Sequence, residues 1–181
     1  MALLRSRRLE TIFGKTADAL TYADVAQLVD GAVPEADDLD YKRDVYGLKA
    51  QDRLKLAGDV AAMANSRGGL VILGMEEDAL ARAAKAVGVE AAYHEISRMR
   101  QIINSLVAPI PRYQIYALED PDRLGTGFLL LEVPASSAGP HAVVVNQISL
   151  RYPRRSGSTT AYRSQHQVES AYFAKYLHVT G

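Results

Sequence analysis

Carboxylates crowd two short stretches of the chain, and both have a spacing that chemistry could use. Met75, Glu76, Glu77 and Asp78 follow the apolar run Leu70, Val71, Ile72, Leu73 and then Gly74, so three acids emerge together where a buried strand ends. Such a grouping is either a solvated turn or the start of a metal site, because hard divalent cations take carboxylate oxygens. The second stretch, EADDLDYKRDV at residues 35–45, alternates Leu39 and Tyr41 with Asp40 and Lys42. In a strand the first pair faces a core, and Asp40 and Lys42 share the opposite face. Lys42 can then meet phosphate charge or neutralise Asp40 in an ordinary salt bridge. Glu35 stands five residues before Asp40, a separation that shares no face in an unbroken strand. The spacing places it on a turn or bulge that folds back, with Pro34 supplying the bend.

The elements that must position these groups are legible from periodicity. Ala57, Val60, Ala61 and Ala64 fall at i, i+3, i+4 and i+7, which predicts a helix over 50–66 with a small-residue face that allows close approach to a sheet. Gly68 can close that helix in a left-handed conformation, and residues 70–73 then form a strand covered on both faces. Ile96, Met99, Ile103, Leu106 and Val107 mark a second helix over 94–107, stopped by Pro109 and Pro111. Residues 79–93 read equally as a helical turn or as a loop into a short strand at 86–89.

From Arg112 the period changes to that of consecutive strands, with apolar runs at 128–133 and 141–145 and a further strand at 148–152. Thr21 with Asp24 and Ser164 with Gln167 have capping-box spacing and open helices. A short amphipathic helix is predicted over 2–13 as well. The expected fold is α+β. A mixed, mainly antiparallel sheet carries the two main helices on one face, with short N-terminal helices and a C-terminal helix added. Residues 1–31 read as a helical extension and 32–181 as the main domain; whether the extension docks on its own chain stays open at this point.

Charge is balanced, 21 basic against 21 acidic residues, so nucleic-acid binding must rest on local patches. Residues 30–44 hold six carboxylates, whereas no acid stands between Glu132 and Glu169. That acid-free stretch contains Arg151, Arg154, Arg155 and Arg163, with Ser158, Thr159 and Thr160 as hydroxyl donors, a composition suited to phosphate contacts. The alternative is a solvated loop. Asn65 and Arg67 near the glycine pair read as cap or contact. The short helix at 21–31 is followed by an acidic stretch, which argues against a helix-turn-helix. The glycines of SRGGLVILG end a helix, and no Gly-Lys-Ser/Thr follows, so they make no phosphate loop. His94, His141, His166 and His178 lack metal-ligand spacing and read as structural or exposed. There is no cysteine, which excludes disulfides and Cys-ligated zinc. No apolar stretch is long enough to span a membrane. A soluble, cytoplasmic protein is expected.

Taken in order, Glu35-x4-Asp40-Tyr41-Lys42, then MANSRGGLVILGMEED, then RYPRRSGSTTAY resemble the AlbA_2 domain, the module shared by bacterial DNA-binding proteins and the Schlafen proteins. The resemblance covers roughly residues 35 to 165 and implies a nucleic-acid-binding domain. In catalytic Schlafen proteins three carboxylates bind divalent metal for cleavage of structured RNA such as transfer RNA; by motif position they fall on Glu35, Asp40 and Glu77, with magnesium or manganese as the implied cofactor. Asp40 is one methylene shorter than the family glutamate and Glu77 one longer than the family aspartate, which displaces the cage. The Schlafen zinc site is not implied, since its cysteines are missing. Schlafen cores carry two related lobes, so a single lobe implies a homodimer. The contacts to DNA or RNA are then expected from Lys42, Arg43, Arg67, Arg151, Arg154, Arg155 and Arg163. A non-catalytic binding module and a dimerisation domain are the alternatives.

Overall fold

The computed structural model describes residues 7–90, 93–146 and 148–177. Two short helices, α1 (Arg7–Phe13) and α2 (Tyr22–Asp30), lead into strand β1 (Leu39–Lys42), helix α3 (Ala50–Ala64) and strand β2 (Gly68–Leu73). A ribbon of β3 (Met75–Glu77) and β4 (Ala83–Ala86) and the short β5 (Val89–Glu90) come before α4 (Tyr93–Leu106) and β6 (Val107–Ala108). The remainder is β7 (Gln114–Glu119), β8 (Thr126–Pro134), β9 (Ala142–Val145), β10 (Ser149–Arg151), the hairpin of β11 (Pro153–Ser156) and β12 (Thr159–Tyr162), and finally α5 (Gln165–Leu177).

The central sheet runs β1-β2-β8, with β7 on the far side of β8 and β5 extending the near side. β1 and β2 are parallel, and α3 is the crossover that a parallel pair requires. The remaining strand pairs are antiparallel, so the mixed, mainly antiparallel α+β fold is the one observed.

Continuous apolar strands mean a sheet covered on both faces, and alternation decides which residue goes where. Val71, Leu73, Leu129, Leu131 and Val133 face α3 and α4, packing with Leu56, Val60, Met99 and Ile103. Leu70, Ile72, Phe128 and Leu130 face the opposite way, onto Leu9, Val25, Leu28, Leu39 and Tyr41. The two main helices therefore share one face, as their periodicity predicts. The N-terminal helices dock on their own chain and cover the other. Thr21 and Asp24 form the expected capping box at the start of α2.

Of the stretch left open by periodicity, Ala83–Ala86 and Val89–Glu90 form strands β4 and β5, and α4 begins at Tyr93. The alanines and lysine of β4 pair with β3 in a hairpin, although their composition carries no strand periodicity. Residues 2–6 of the expected first helix, and His178, lie outside the described residues.

At the join between α3 and β2 the glycine pair has two separate tasks. Asn65 caps α3, and Gly68 takes φ +76°, which turns the chain into the strand. Gly69 sits where β1 enters: a Cβ there would collide with the Asp38 backbone, whose carbonyl accepts from Leu70 N at 2.9 Å. Gly69→Ala is therefore expected to cost about 1–3 kcal/mol through overpacking. Gly58→Ala, in α3 with open space around it, is expected to gain about 0.5–1 kcal/mol of helix stability. Urea denaturation of the two variants reads both signs.

Candidate functional site

Strand alternation turns Leu39 and Tyr41 toward the N-terminal helices and so sends Asp40 and Lys42 toward α3 and the β11–β12 hairpin. Asp40 is buried there between two cations. Its Oδ2 takes the Lys42 ammonium and its Oδ1 accepts from Arg155 Nη1 at 3.0 Å, with the Arg155 and Asp40 side chains 1% and 4% exposed. Arg155 also donates through Nη2 to the Ala36 carbonyl at 3.2 Å, and its backbone N–H donates to Ser66 Oγ at 2.9 Å. A further acid that feels the Asp40 charge is Asp59 on α3, buried and accepting from the Tyr46 hydroxyl at 2.7 Å. Burial and then the Asp40 charge push Asp59 up from the usual carboxylate range. Burial works against the Lys42 charge, but Asp40 and then Asp59 outweigh it and hold the ammonium above its ordinary value.

Glu35 sits on the folded-back turn that its spacing requires. Its Oε1 accepts from Tyr41 N at 2.5 Å. Burial is the largest influence on it, opposed by that hydrogen bond, and the charges of Asp40 and Glu77 add to the burial, bringing its pKa to about 7. Glu35, Asp40 and Glu77, from three separate segments, thus share one electrostatic field. The rest of the acidic cluster after β2 does ordinary work. Glu76 pairs with Arg43 at 3.0 Å. Asp78 accepts from the backbone of Leu80 and Arg82 and from the Arg82 guanidinium, closing the turn before β4. Glu77 alone of the three is left exposed and without an ion-pair partner among the described residues.

As a ligand set these acids do not fit a divalent cation in this arrangement. Both Asp40 oxygens are held by cations of the chain itself, and among the described residues no three His, Asp or Glu side chains come together as a metal cage.

The expected nucleic-acid contacts divide in the same way. Lys42 and Arg155 face Asp40, and Arg43 faces Glu76; Arg155 is a buried structural cation where the sequence suggested a surface one, because it occupies the inward face of the hairpin. Arg67, Arg151, Arg154 and Arg163 have no acidic partner among the described residues. Arg67 and Glu35 both line a groove of about 1080 Å³ that also takes in Asp37, Ser66 and Ser158. Arg8, another lining residue, bonds Asp38 at 2.8 Å.

Sequence reasoning missed Asp59 and Tyr46. The available signal was a single acid inside the apolar face of LAGDVAAMA. Asn65 does more than cap α3: its amide donates to the carbonyls of His141 and Pro153 and accepts from His141 N, all at 2.7–2.8 Å. His141 is structural, fully buried, with Nδ1 2.6 Å from the Pro109 carbonyl.

A sheet covered by helices on both faces, with a cation-filled acidic centre where β1 meets a C-terminal hairpin, makes the chain an α+β domain. The family model described as Schlafen, AlbA_2 matches residues 35–170, and the chain belongs to that family. Among solved structures it is similar to the DIP2311 protein of Corynebacterium diphtheriae, with 21% identity, 93% of this chain and 29% of that one covered, and a TM-score of 0.52. It is also similar to the N-terminal domain of a Nitrosomonas europaea protein related to the ATP-dependent DNA helicase RecG, with 18% identity, 81% and 96% covered, and a TM-score of 0.52. These likenesses show the fold. No curated protein matches the chain. Among the described residues no helix is long and apolar enough to cross a membrane.

Two outcomes follow from the buried centre. Arg155→Met leaves Asp40 with half its compensation and is expected to cost about 3–5 kcal/mol, the range for breaking a buried pair, and Asp40→Asn combined with it restores part of that loss; a double-mutant cycle by denaturation measures both. Glu35, raised from 4.5 to about 7, holds its proton in the folded state after the unfolded chain has released it. Its contribution is full below about pH 4.5 and is lost as pH rises through 7. Glu35→Gln is expected to flatten the decline in unfolding midpoint between pH 5 and 8.

Proposed function

We propose that the chain is a nucleic-acid-binding domain that meets the phosphate backbone with Arg67, Arg151, Arg154 and Arg163. The observation that carries this is charge sorting: Asp40 of β1 and Glu76 of β3 are matched by Lys42, Arg43 and Arg155, while those four arginines stay without acidic partners among the described residues. Three of the four belong to the acid-free stretch after Glu132, where nothing of opposite sign offsets them. Phosphate oxygens are the natural complement of unpaired guanidinium forks. Family membership supports the same reading.

Affinity for labelled RNA and duplex DNA should fall steeply with salt. Replacing Arg67 and Arg151 together by glutamine should weaken binding to all sequences alike and lower the slope of log K against log salt by about 1 for each phosphate no longer neutralised. Anisotropy titrations at several salt concentrations measure this; a slope unchanged in the double variant overturns those contacts, and no binding at low salt overturns the reading.

A second reading is a divalent-metal-dependent endoribonuclease acting on structured RNA such as transfer RNA, with Glu35, Asp40 and Glu77 as its acids and a homodimer completing the groove. The observation in its favour is that Glu35, raised first by burial, also feels the charges of Asp40 and Glu77, since acids brought close together are what such chemistry uses. Against it stands the hold of Lys42 and Arg155 on Asp40. Incubation of transfer RNA with manganese or with chelator separates the readings. Metal-dependent cleavage that disappears in the triple alanine variant supports the nuclease; binding without cleavage in both proteins supports the binding module.

A further inference from the structure

The β11–β12 hairpin has two faces with opposite electrostatics. Pro153 opposes Tyr162 and Arg154 opposes Ala161, and Arg163 N–H donates to the Tyr152 carbonyl at 2.9 Å, which continues the ladder by one pair. Residues directly opposite share a face, as do residues two apart. Tyr152, Arg154, Ala161 and Arg163 therefore lie on one face, and Arg155 on the other with Asp40. The second face is neutralised. The first places two guanidinium groups diagonally, with no carboxylate among the described residues to meet them.

The other wall of this space is α5. No residue of α5 is buried; against the hairpin it has the Tyr152–Tyr172 contact, with rings edge-on at 6.3 Å and hydroxyls 3.2 Å apart. Between hairpin and helix lies a cleft of about 500 Å³ bounded by Arg154, Arg163, Gln167, Ser170 and Ala171. A neighbouring cleft of about 420 Å³ shares Arg163 and Ala171 and adds Ser136, Ser137 and Lys175. Arg163 reaches the Asn65 carbonyl at the end of α3 through Nη2 at 3.1 Å, which fixes its guanidinium between the two clefts.

The donors that remain are the second observation. The Nε–H groups of both Arg154 and Arg163 are shielded from solvent and have no acceptor among the described residues. A shielded charged donor without an acceptor is costly. Burial, and then the nearby charge of Arg154, hold Arg163 below its ordinary value. An anion seated between the two guanidinium groups would accept from their free Nη–H groups and cancel the repulsion, and a small shift of either side chain would bring Nε–H onto it as well. Planar forks on two sides suit a group with several oxygens, and a phosphate supplies them.

We infer that the cleft between the β11–β12 hairpin and α5 is a phosphate seat, in which Arg154 and Arg163 grip one phosphate group and the amide N–H of Gln167 adds a hydrogen bond. The adjoining Lys175 cleft takes the next phosphate of a strand, so the seat deepens the nucleic-acid reading; a free phosphorylated molecule would fill the first cleft by the same chemistry. Occupation ties α5 to the hairpin.

The test uses the full chain, with inorganic phosphate as the first probe and labelled RNA as the second. Thermal unfolding is followed against phosphate and against chloride at matched ionic strength, with hydrogen exchange across α5. The expected result is a saturable rise in midpoint with phosphate and added protection of α5. In Arg154→Gln the half-saturating concentration should rise at least tenfold, while Lys85→Gln, exposed on β4 and outside both clefts, keeps the wild-type response. Arg154 makes no side-chain hydrogen bond or ion pair among the described residues, so its replacement leaves the fold in place. Arg163→Lys keeps the charge but loses the fork, and should also weaken the response. In the RNA arm phosphate should compete, and Arg154→Gln should lose at least tenfold in affinity. Saturable phosphate binding without RNA binding keeps the seat and overturns the nucleic-acid reading. RNA binding of full strength in Arg154→Gln and Arg163→Lys, with no phosphate-specific stabilisation, overturns the seat and leaves that reading standing. A response to phosphate no larger than that to chloride also overturns the seat.

Discussion

The carboxylate of Asp40, buried between Lys42 and Arg155, is the interaction on which the rest of the molecule depends. Removing a charge from water is expensive, and it is tolerated only where the partner geometry is good and the remaining hydrogen-bonding groups are satisfied. Here one partner comes from the same strand and the other from a hairpin at the opposite end of the chain. The hairpin therefore has to dock, and its docking is reinforced by Ser66 and Asn65 at the end of α3. Strand β1, the exit of α3 and strand β11 behave as one unit because of this charge.

Packing gives that unit its rigidity. The sheet strands are apolar on both faces, so each face has to be covered. Helices α3 and α4 cover one, and α1 and α2 cover the other. The family match begins at residue 35, yet Leu9, Val25 and Leu28 complete the second core. The segment before the match is thus part of the domain's packing and supplies the Arg8 bond to Asp38 beside the groove.

The same ion pair sorts the surface. By absorbing Lys42 and Arg155, the acidic centre confines the free basic character of this region to the outward face of the hairpin and to Arg67. The groove lined by Glu35 and the basic cleft under α5 then both border the β11–β12 ribbon, which carries Arg155 on one face and Arg154 on the other.

The sequence by itself determined the elements and their faces. Alternation in LDYK set Asp40 beside Lys42, the alanine stripe and the glycine pair set α3 and its exit, and capping boxes set the starts of α2 and α5, because each of these depends on neighbours within one or two turns of chain. Spacing also put Glu35 on a turn. What it did not determine was which arginine of the adjacent pair turns inward, that Asp59 and Tyr46 sit near Asp40, or that β4 pairs with β3. The first two depend on contacts between residues far apart in the chain, and the third on a partner strand that AAKA does not announce. A guanidinium becomes structural or available only when folding decides whether a carboxylate stands within reach, and no local pattern carries that information.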